Sequence, residues 1–282
     1  MTVMNLLRTG GCHRYLTQRT NYIAGSEDSM LLVADTGNTT TVAGIYDGDE
    51  LIAHWRLSSI LHTPDELGIY LLNLIGTRNI KPSDIDGAAF ASVVPSLDFS
   101  MTEAIKQYFG VTPLQVNALT DTGMEIRTKN PREVGADRIV NAVAGREKYG
   151  APLIVADYGT AITFDVVSED GAYLGGVIAP GLNSGISALF SKAAKLPQVA
   201  LNIPESVIGR NTEEAIQAGI LFGNAGLTDN ITDMIRKEPG LSCAKLIATG
   251  GHAGLMAKVS RNIDVVDKWL TLEGLKMIYE RQ

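Results

Sequence analysis

Two short stretches carry residue types that could hold a phosphate and its counter-ion. Asp35-Thr36-Gly37-Asn38-Thr39 follows the apolar run Met30–Ala34, and Asp157-Tyr158-Gly159-Thr160 follows Leu153–Ala156. In each, a strand with apolar character ends on a carboxylate and turns at once through glycine and a hydroxyl. Backbone N–H groups and short hydroxyls suit an anion, and a carboxylate beside them suits a hard cation. Asp35 has a strand-end Asx turn as its plain alternative, while Asn38, Thr39 and Thr41 read equally well as turn and strand residues. The repetition gives the pair its weight. A third glycine turn, Ala248-Thr249-Gly250-Gly251, opens a helix whose N-terminus favours phosphate or adenosine contacts.

The elements that must position these turns repeat as well. Alternation predicts strands at 30–35, 41–47 and 51–58, the last two joined through the turn Tyr46-Asp47-Gly48-Asp49-Glu50. Thr63-Pro64-Asp65-Glu66 opens a helix as a capping box. A strand at 86–93, a helix at 97–109, a strand near 114–117 and a helix at 136–149 follow. At Leu153 the pattern restarts with a strand ending in Asp-x-Gly and two alternating strands around Ser168-Glu169-Asp170-Gly171. A long helix at 212–237, capped by Asn211 and Glu214, precedes a strand at 245–249, a helix at 252–260, a strand at 262–266 and a helix at 270–281. The expected fold is α/β, two duplicated actin-like (ribonuclease H-like) domains of the sugar kinase/Hsp70/actin superfamily. The expected domains are 30–150 and 151–282. No Walker A sequence is present, which excludes a P-loop kinase.

Composition narrows the function. The 282 residues carry a formal net charge of −7, 45% hydrophobic and 20% charged residues. That balance suits a globular enzyme and argues against nucleic acid as a partner. Cys12 and Cys243 stand in unrelated contexts, so neither a disulfide framework nor a zinc site is expected, and a reducing cytoplasm fits best. No apolar run approaches the length of a membrane span. Residues 1–29 hold three arginines, no acid before Glu27 and no sustained periodicity. They read as an N-terminal extension, a disordered tail or an over-long start ahead of Met30, with a targeting arm as the alternative.

Seven segments sharpen the reading. Asp35–Leu51, Asn130–Ala144, Asp157–Val167, Gly175–Pro197, Val207–Gly223, Ala248–Gly251 and Leu270–Arg281 resemble, in order, the signature segments of type III pantothenate kinases. The resemblance covers essentially 30–282. It implies a homodimeric enzyme that uses ATP to phosphorylate the primary hydroxyl of pantothenate, the first step of coenzyme A synthesis, with Mg²⁺ and a monovalent cation, K⁺ or NH₄⁺. It makes Asp35, Thr36, Gly37, Asn38, Thr39, Thr40, Thr41 and Val42 the first phosphate loop, and Thr160 an ATP contact. Gly135, Ala136, Asp137 and Arg138 become the pantothenate site, with Asp137 the proton acceptor. Asp157 becomes the monovalent-cation ligand, and Thr212 a residue that reaches pantothenate in the neighbouring subunit.

The residue chemistry agrees. Phosphoryl transfer through a loose transition state asks the protein mainly for positioning and charge neutralisation. Asp35 suits Mg²⁺ or its waters. Asp137 lies in a first helical turn, where the dipole favours its ionised form, and a helix-capping role is its plain alternative. Arg138 offers a fork for a carboxylate, or else is a solvated helix arginine. Asn141, one turn further on, reads as an orienter of Asp137 or as an exposed amide. Gly219, Gly223 and Gly226 weaken a helix interior and suggest a close helix or subunit contact.

Some positions depart from the family pattern. Thr128 stands where many members have a tyrosine contacting pantothenate, Ile162 replaces a threonine, and Thr36 a common valine. The first bears on substrate affinity and the second on the nucleotide site. The alternative functions are a non-catalytic transcription accessory protein on the same scaffold, or another small-molecule kinase of the superfamily.

Overall fold

The computed structural model describes residues 30–60, 62–192 and 199–282. The expected N-terminal extension 1–29 lies outside the described residues. Two five-stranded sheets follow one plan. In the first half, β1 (Met30–Thr36), β2 (Thr40–Asp47) and β3 (Glu50–Ser58) form an antiparallel meander, and β4 (Ile85–Ser92) and β5 (Leu114–Val116) join parallel on the other side of β1. In the second half, β6 (Leu153–Tyr158), β7 (Ala161–Val167) and β8 (Tyr173–Pro180) repeat the meander. There β9 (Lys245–Thr249) and β10 (Val265–Val266) repeat the parallel strands. The strand orders β3-β2-β1-β4-β5 and β10-β9-β6-β7-β8 are therefore the same order read from opposite ends. The duplicated α/β arrangement is the expected one.

The helices cover both faces of each sheet. α1 (Pro64–Gly76) carries the capping box, with Glu66 N–H donating to Thr63 Oγ1 and Thr63 N–H to the Glu66 carboxylate. It packs on α2 (Pro95–Phe109), and both cover the outer face of the first sheet around Leu32, Ile45 and Phe90. α4 (Leu182–Lys192), α5 (Thr212–Ile235) and α6 (Ala253–Met256) serve the second half, whose outer core holds Tyr158, Ile162, Phe164 and Leu221. The third core is shared. α3 (Ala136–Tyr149), from the first half, lies on β6 and β7, while α7 (Leu270–Glu280), from the second, lies on β1 and β4. Each half thus lends its last helix to the sheet of the other, and one apolar core runs from Leu31 and Val33 through Ile139 and Val140 to Leu153 and Leu275.

Two elements are shorter than their periodicity predicts. The expected helix 252–260 ends at Met256 and the expected strand 262–266 shrinks to two residues. The cause is Asp229 on α5, whose carboxylate accepts from Ser260 Oγ, Arg261 N–H and Asn262 N–H and turns the backbone there. Among the described residues no helix is long and apolar enough to cross a membrane.

α3 and α7 touch without side chain between them at Gly274. A Cβ there would stand 2.4 Å from Val140 O and 2.7 Å from Val140 Cγ1. Overpacking of this kind costs about 1–3 kcal/mol. Gly274→Ala should lower the urea midpoint accordingly, whereas an unchanged midpoint would show that the helices separate freely.

Candidate functional site

The two Asp-x-Gly turns meet. Asp35 lies near the end of β1 opposite Val42, and Asp157 near the end of β6 opposite Thr163, so the duplicated topology brings both carboxylates to the same edge of their sheets. Across the gap Thr39 Oγ1 and Thr160 Oγ1 stand 3.1 Å apart. The first turn is closed by Gly37 N–H donating to Thr40 O and Ser59 N–H to Thr39 O. The second is braced from β8 and α4: Gly181 N–H and Ser184 Oγ both donate to Thr160 O, the latter at 2.7 Å. The third turn arrives beside Asp157. Gly250 has φ +88°, and a Cβ on it would fall 2.3 Å from Asp157 Oδ1, so only glycine lets this turn approach the carboxylate.

Not every residue of the first loop faces the gap. Asn38 and Thr39 are exposed at its tip, whereas Thr36 is buried with its hydroxyl unpartnered. Thr41 is buried, its Oγ1 2.9 Å from Ser59 Oγ, and lines a small apolar pocket with Leu57 and Leu67. Val42 packs into the shared core. The strand alternation therefore turns Thr41 and Val42 to packing, away from the loop's N–H groups.

Asp137 sits in the first turn of α3, which Gly135 opens. Its Oδ1 accepts from Arg138 N–H at 2.8 Å, and a Cβ on Gly135 would fall 2.6 Å from that same oxygen. The three carboxylates feel one another. Burial raises Asp35 well above the ordinary range, and the charges of Asp137 and Asp157 raise it further. Burial, then Asp137, pushes Asp157 up to about 7, against the lowering effect of a hydrogen bond from Asn141. Asp137 is raised as well, because burial outweighs the helical N–H groups that favour its charge. The expectation that the dipole governs Asp137 is thus corrected: desolvation is the larger effect, and it makes this carboxylate a stronger base.

Several partners differ from expectation. Asn141 is neither exposed nor bonded to Asp137. It is buried, donates from Nδ2 to Asp157 Oδ2 at 3.1 Å, and accepts at Oδ1 from Thr271 Oγ1 at 2.7 Å. Its place one helical turn beyond Asp137 put it on the correct face but could not reveal which carboxylate it meets. Arg138 is not a solvated arginine, since only 16% of its side chain is exposed and its Nε donates to the buried Asp165 at 2.7 Å. Arg138 Nη2 is buried and unpartnered, as is Thr128 Oγ1. Both lie over the β8 glycines: a Cβ on Gly175 would be 3.7 Å from Thr128 Cγ2, and one on Gly176 would be 2.7 Å from Arg138 Nη2. Ile162 lies wholly within the outer core beside Tyr158 and Phe164, so its departure from the family pattern affects packing rather than the gap. Thr212 is exposed at the start of α5, and no partner for its side chain is found among the described residues. Asp165 was the residue missed. Its signal was a carboxylate inside the largely apolar run of β7.

Oxygen donors, like charges and raised pKa values make the site fit a hard cation, which would relieve the repulsion among Asp35, Asp137 and Asp157. Among the described residues no three His, Cys, Asp or Glu side chains converge closely enough to hold a metal by themselves. Ligand or water oxygens would have to complete such a cation's shell.

The chain is similar to known proteins along most of its length. The chain is 47% identical over 253 residues to a type III pantothenate kinase of Geobacillus thermodenitrificans (strain NG80-2), covering 89% of this chain and 98% of that one. It is 49% identical, with the same coverage, to a type III pantothenate kinase of Geotalea uraniireducens (strain Rf4). Among solved structures it resembles a protein described as a Baf family transcriptional activator from Campylobacter jejuni, at TM-score 0.56 and 21% identity over 89% of this chain and 98% of the other. It also resembles component A of (R)-2-hydroxyglutaryl-CoA dehydratase from Acidaminococcus fermentans, at TM-score 0.52 and 14% identity over 90% and 97%. These two likenesses show the fold, which is that of the actin-like kinases and ATPases. The model of the type III pantothenate kinase family matches residues 31–234, and the chain belongs to that family.

Proposed function

We propose that the chain phosphorylates pantothenate on its primary hydroxyl with ATP, in the cleft between its two halves, 30–150 and 151–282. Family membership carries the activity, and the convergence of Asp35, Asp137 and Asp157 beside two opposed glycine turns is the observation that supports its placement. The N–H groups of the Asp35 and Asp157 turns, with the hydroxyls of Thr39 and Thr160, receive the phosphates of ATP. The Gly250 turn closes the nucleotide side. Arg138 holds the carboxylate of pantothenate through its terminal nitrogens, with Thr128 Oγ1 beside it as a further donor. Asp137 accepts the hydroxyl proton as the acceptor oxygen attacks the γ-phosphorus. Its raised pKa suits that task, because a more basic carboxylate takes a proton late in a loose reaction more readily.

Asp35 is the residue suited to hold Mg²⁺, which when bound neutralises phosphate charge, and Asp157 the residue suited to a monovalent cation, K⁺ or NH₄⁺. Asn141 and Thr271 fix the Asp157 carboxylate for that purpose. The second half carries the surface for a homodimer. Leu174, Val177 and Ile178 are exposed on the edge strand β8, Leu189 and Phe190 on α4, and Gly219, Gly223 and Gly226 face open space on α5. Apolar surface of that extent supports self-association. Thr212 would then reach the site of the partner, and sedimentation showing only monomers would remove this part of the reading.

Asp137→Asn should lower kcat by about 10²–10⁴-fold while pantothenate still binds, as expected for loss of a general base. A loss under tenfold in steady-state assays would take that role from Asp137. Activity should fall sharply when Na⁺ replaces K⁺. Asn141→Ala should raise the K⁺ concentration for half-activation by roughly tenfold, on the scale of losing a residue that orients a cation ligand. Full activity in K⁺- and NH₄⁺-free buffer, or an unchanged half-activation, would contradict the assignments of Asp157 and Asn141 respectively.

A further inference from the structure

The buried carboxylate of Asp165 has no part in the reaction as written, yet it is the most heavily bonded acid near the cleft. It is fully buried in β7. Its Oδ1 accepts from Arg138 Nε at 2.7 Å and from Tyr173 OH at 2.7 Å, and its Oδ2 from Thr163 Oγ1 at 3.1 Å. Burial pushes this carboxyl up to about 6, and Arg138, Tyr173 and Thr163 each pull it back, so the three donors keep it ionised near neutral pH. The Tyr173 ring lies beneath the guanidinium, 6.0 Å from its carbon. Tyr173 is itself held from both sides of its backbone, by Arg127 N–H and Glu125 O at 2.8 Å each.

Such a clamp is directional. A charge-assisted bond at Nε fixes one edge of a planar fork and leaves the terminal edge to point elsewhere. Here the terminal Nη2 is buried and unpartnered, in a space that exists only because residue 176 lacks a side chain. An unsatisfied buried guanidinium nitrogen costs stability, so an arrangement that retains one needs a compensating ligand. Asp165 also opposes an anionic ligand electrostatically, which an arrangement built for affinity alone would avoid. Geometry, rather than charge, is what it contributes.

We propose that Asp165, with Tyr173 and Thr163, is a positioning residue that pins Arg138 by its Nε, so that the terminal nitrogens select a carboxylate-bearing acceptor over its uncharged analogue. This rests on the pantothenate reading of the same site. The test compares dissociation constants of pantothenate and its primary amide by calorimetry, together with kcat, for the wild-type chain, Asp165→Asn, Tyr173→Phe and Thr163→Val. Asp165→Asn should weaken pantothenate by at least about tenfold and the amide by less than about threefold, with kcat at saturating pantothenate within about threefold of wild type. Tyr173→Phe and Thr163→Val keep the carboxylate and remove one bond each. Each should reduce the preference for the acid by about threefold, and they carry the comparison if Asp165→Asn does not fold. Equal weakening of both ligands in all variants would make Asp165 a packing element only. Tighter binding of pantothenate by Asp165→Asn would make it an electrostatic competitor, and either result overturns the proposal. A wild-type chain that neither binds nor phosphorylates pantothenate would overturn the underlying reading as well.

Discussion

Three carboxylates gather where two glycine turns meet, held there by a fold that cannot easily let them part. Asp35 lies near the end of one central strand, Asp157 near the end of the other, and Asp137 rides on the helix lying across the second sheet. Burial raises all three, and the charges of neighbouring carboxylates raise Asp35 and Asp157 further. The opposing force is the shared apolar core, to which both sheets, α3 and α7 contribute. Charges buried near like charges are costly unless compensated. Such a grouping therefore suits cations and the phosphates that accompany them, as the proposed transfer from ATP requires.

The exchange of α3 and α7 also links catalysis to architecture. α3 carries Asp137 and Arg138 at its start and Asn141 one turn later. α7 meets α3 at Gly274 and offers Thr271 to Asn141 one turn away. Lys276, two residues past Gly274, pairs with Asp49 in the β2–β3 turn and with Glu280, tying α7 to the first sheet. Lys148 at the end of α3 binds Asp267 and Glu273 from the other half. The two halves are thus tied together through these helices, and the orientation of Asp157 depends on contacts from both.

Much of this was legible in the sequence, and what was hidden had physical reasons. Strand alternation and the repeated Asp-x-Gly turn revealed the duplication, because each half must bury one face of a meander. Amphipathic spacing told that α3 and α7 bury a face, but not whose sheet that face covers. Asp229 shortened the last helix and strand through contacts about 30 residues away, which no local window contains. Arg138 and Asp165 are 27 residues apart, so their pairing depends on how α3 crosses β7. Thr41 and Val42 were read with the loop they adjoin, although alternation within β2 already turned them toward packing.

We propose that burial, reinforced by neighbouring carboxylates, leaves Asp35 and Asp157 with a strain that cations relieve. Asp157 stands at about 7 in the folded chain and near 3.9 when unfolded. Between these values the folded state binds a proton that the unfolded state does not, so stability falls as pH rises, and this contribution is lost above about 7. Asp35, raised in the same direction, adds to the slope. The measurement is the urea unfolding free energy of the wild-type chain and of Asp157→Asn from pH 5 to 8.5, without K⁺ or Mg²⁺ and then with both. The account predicts a downward slope for wild type that is shallower in Asp157→Asn and shallower again when the cations are added. Identical slopes for the two proteins, with no effect of cations on either, would contradict it.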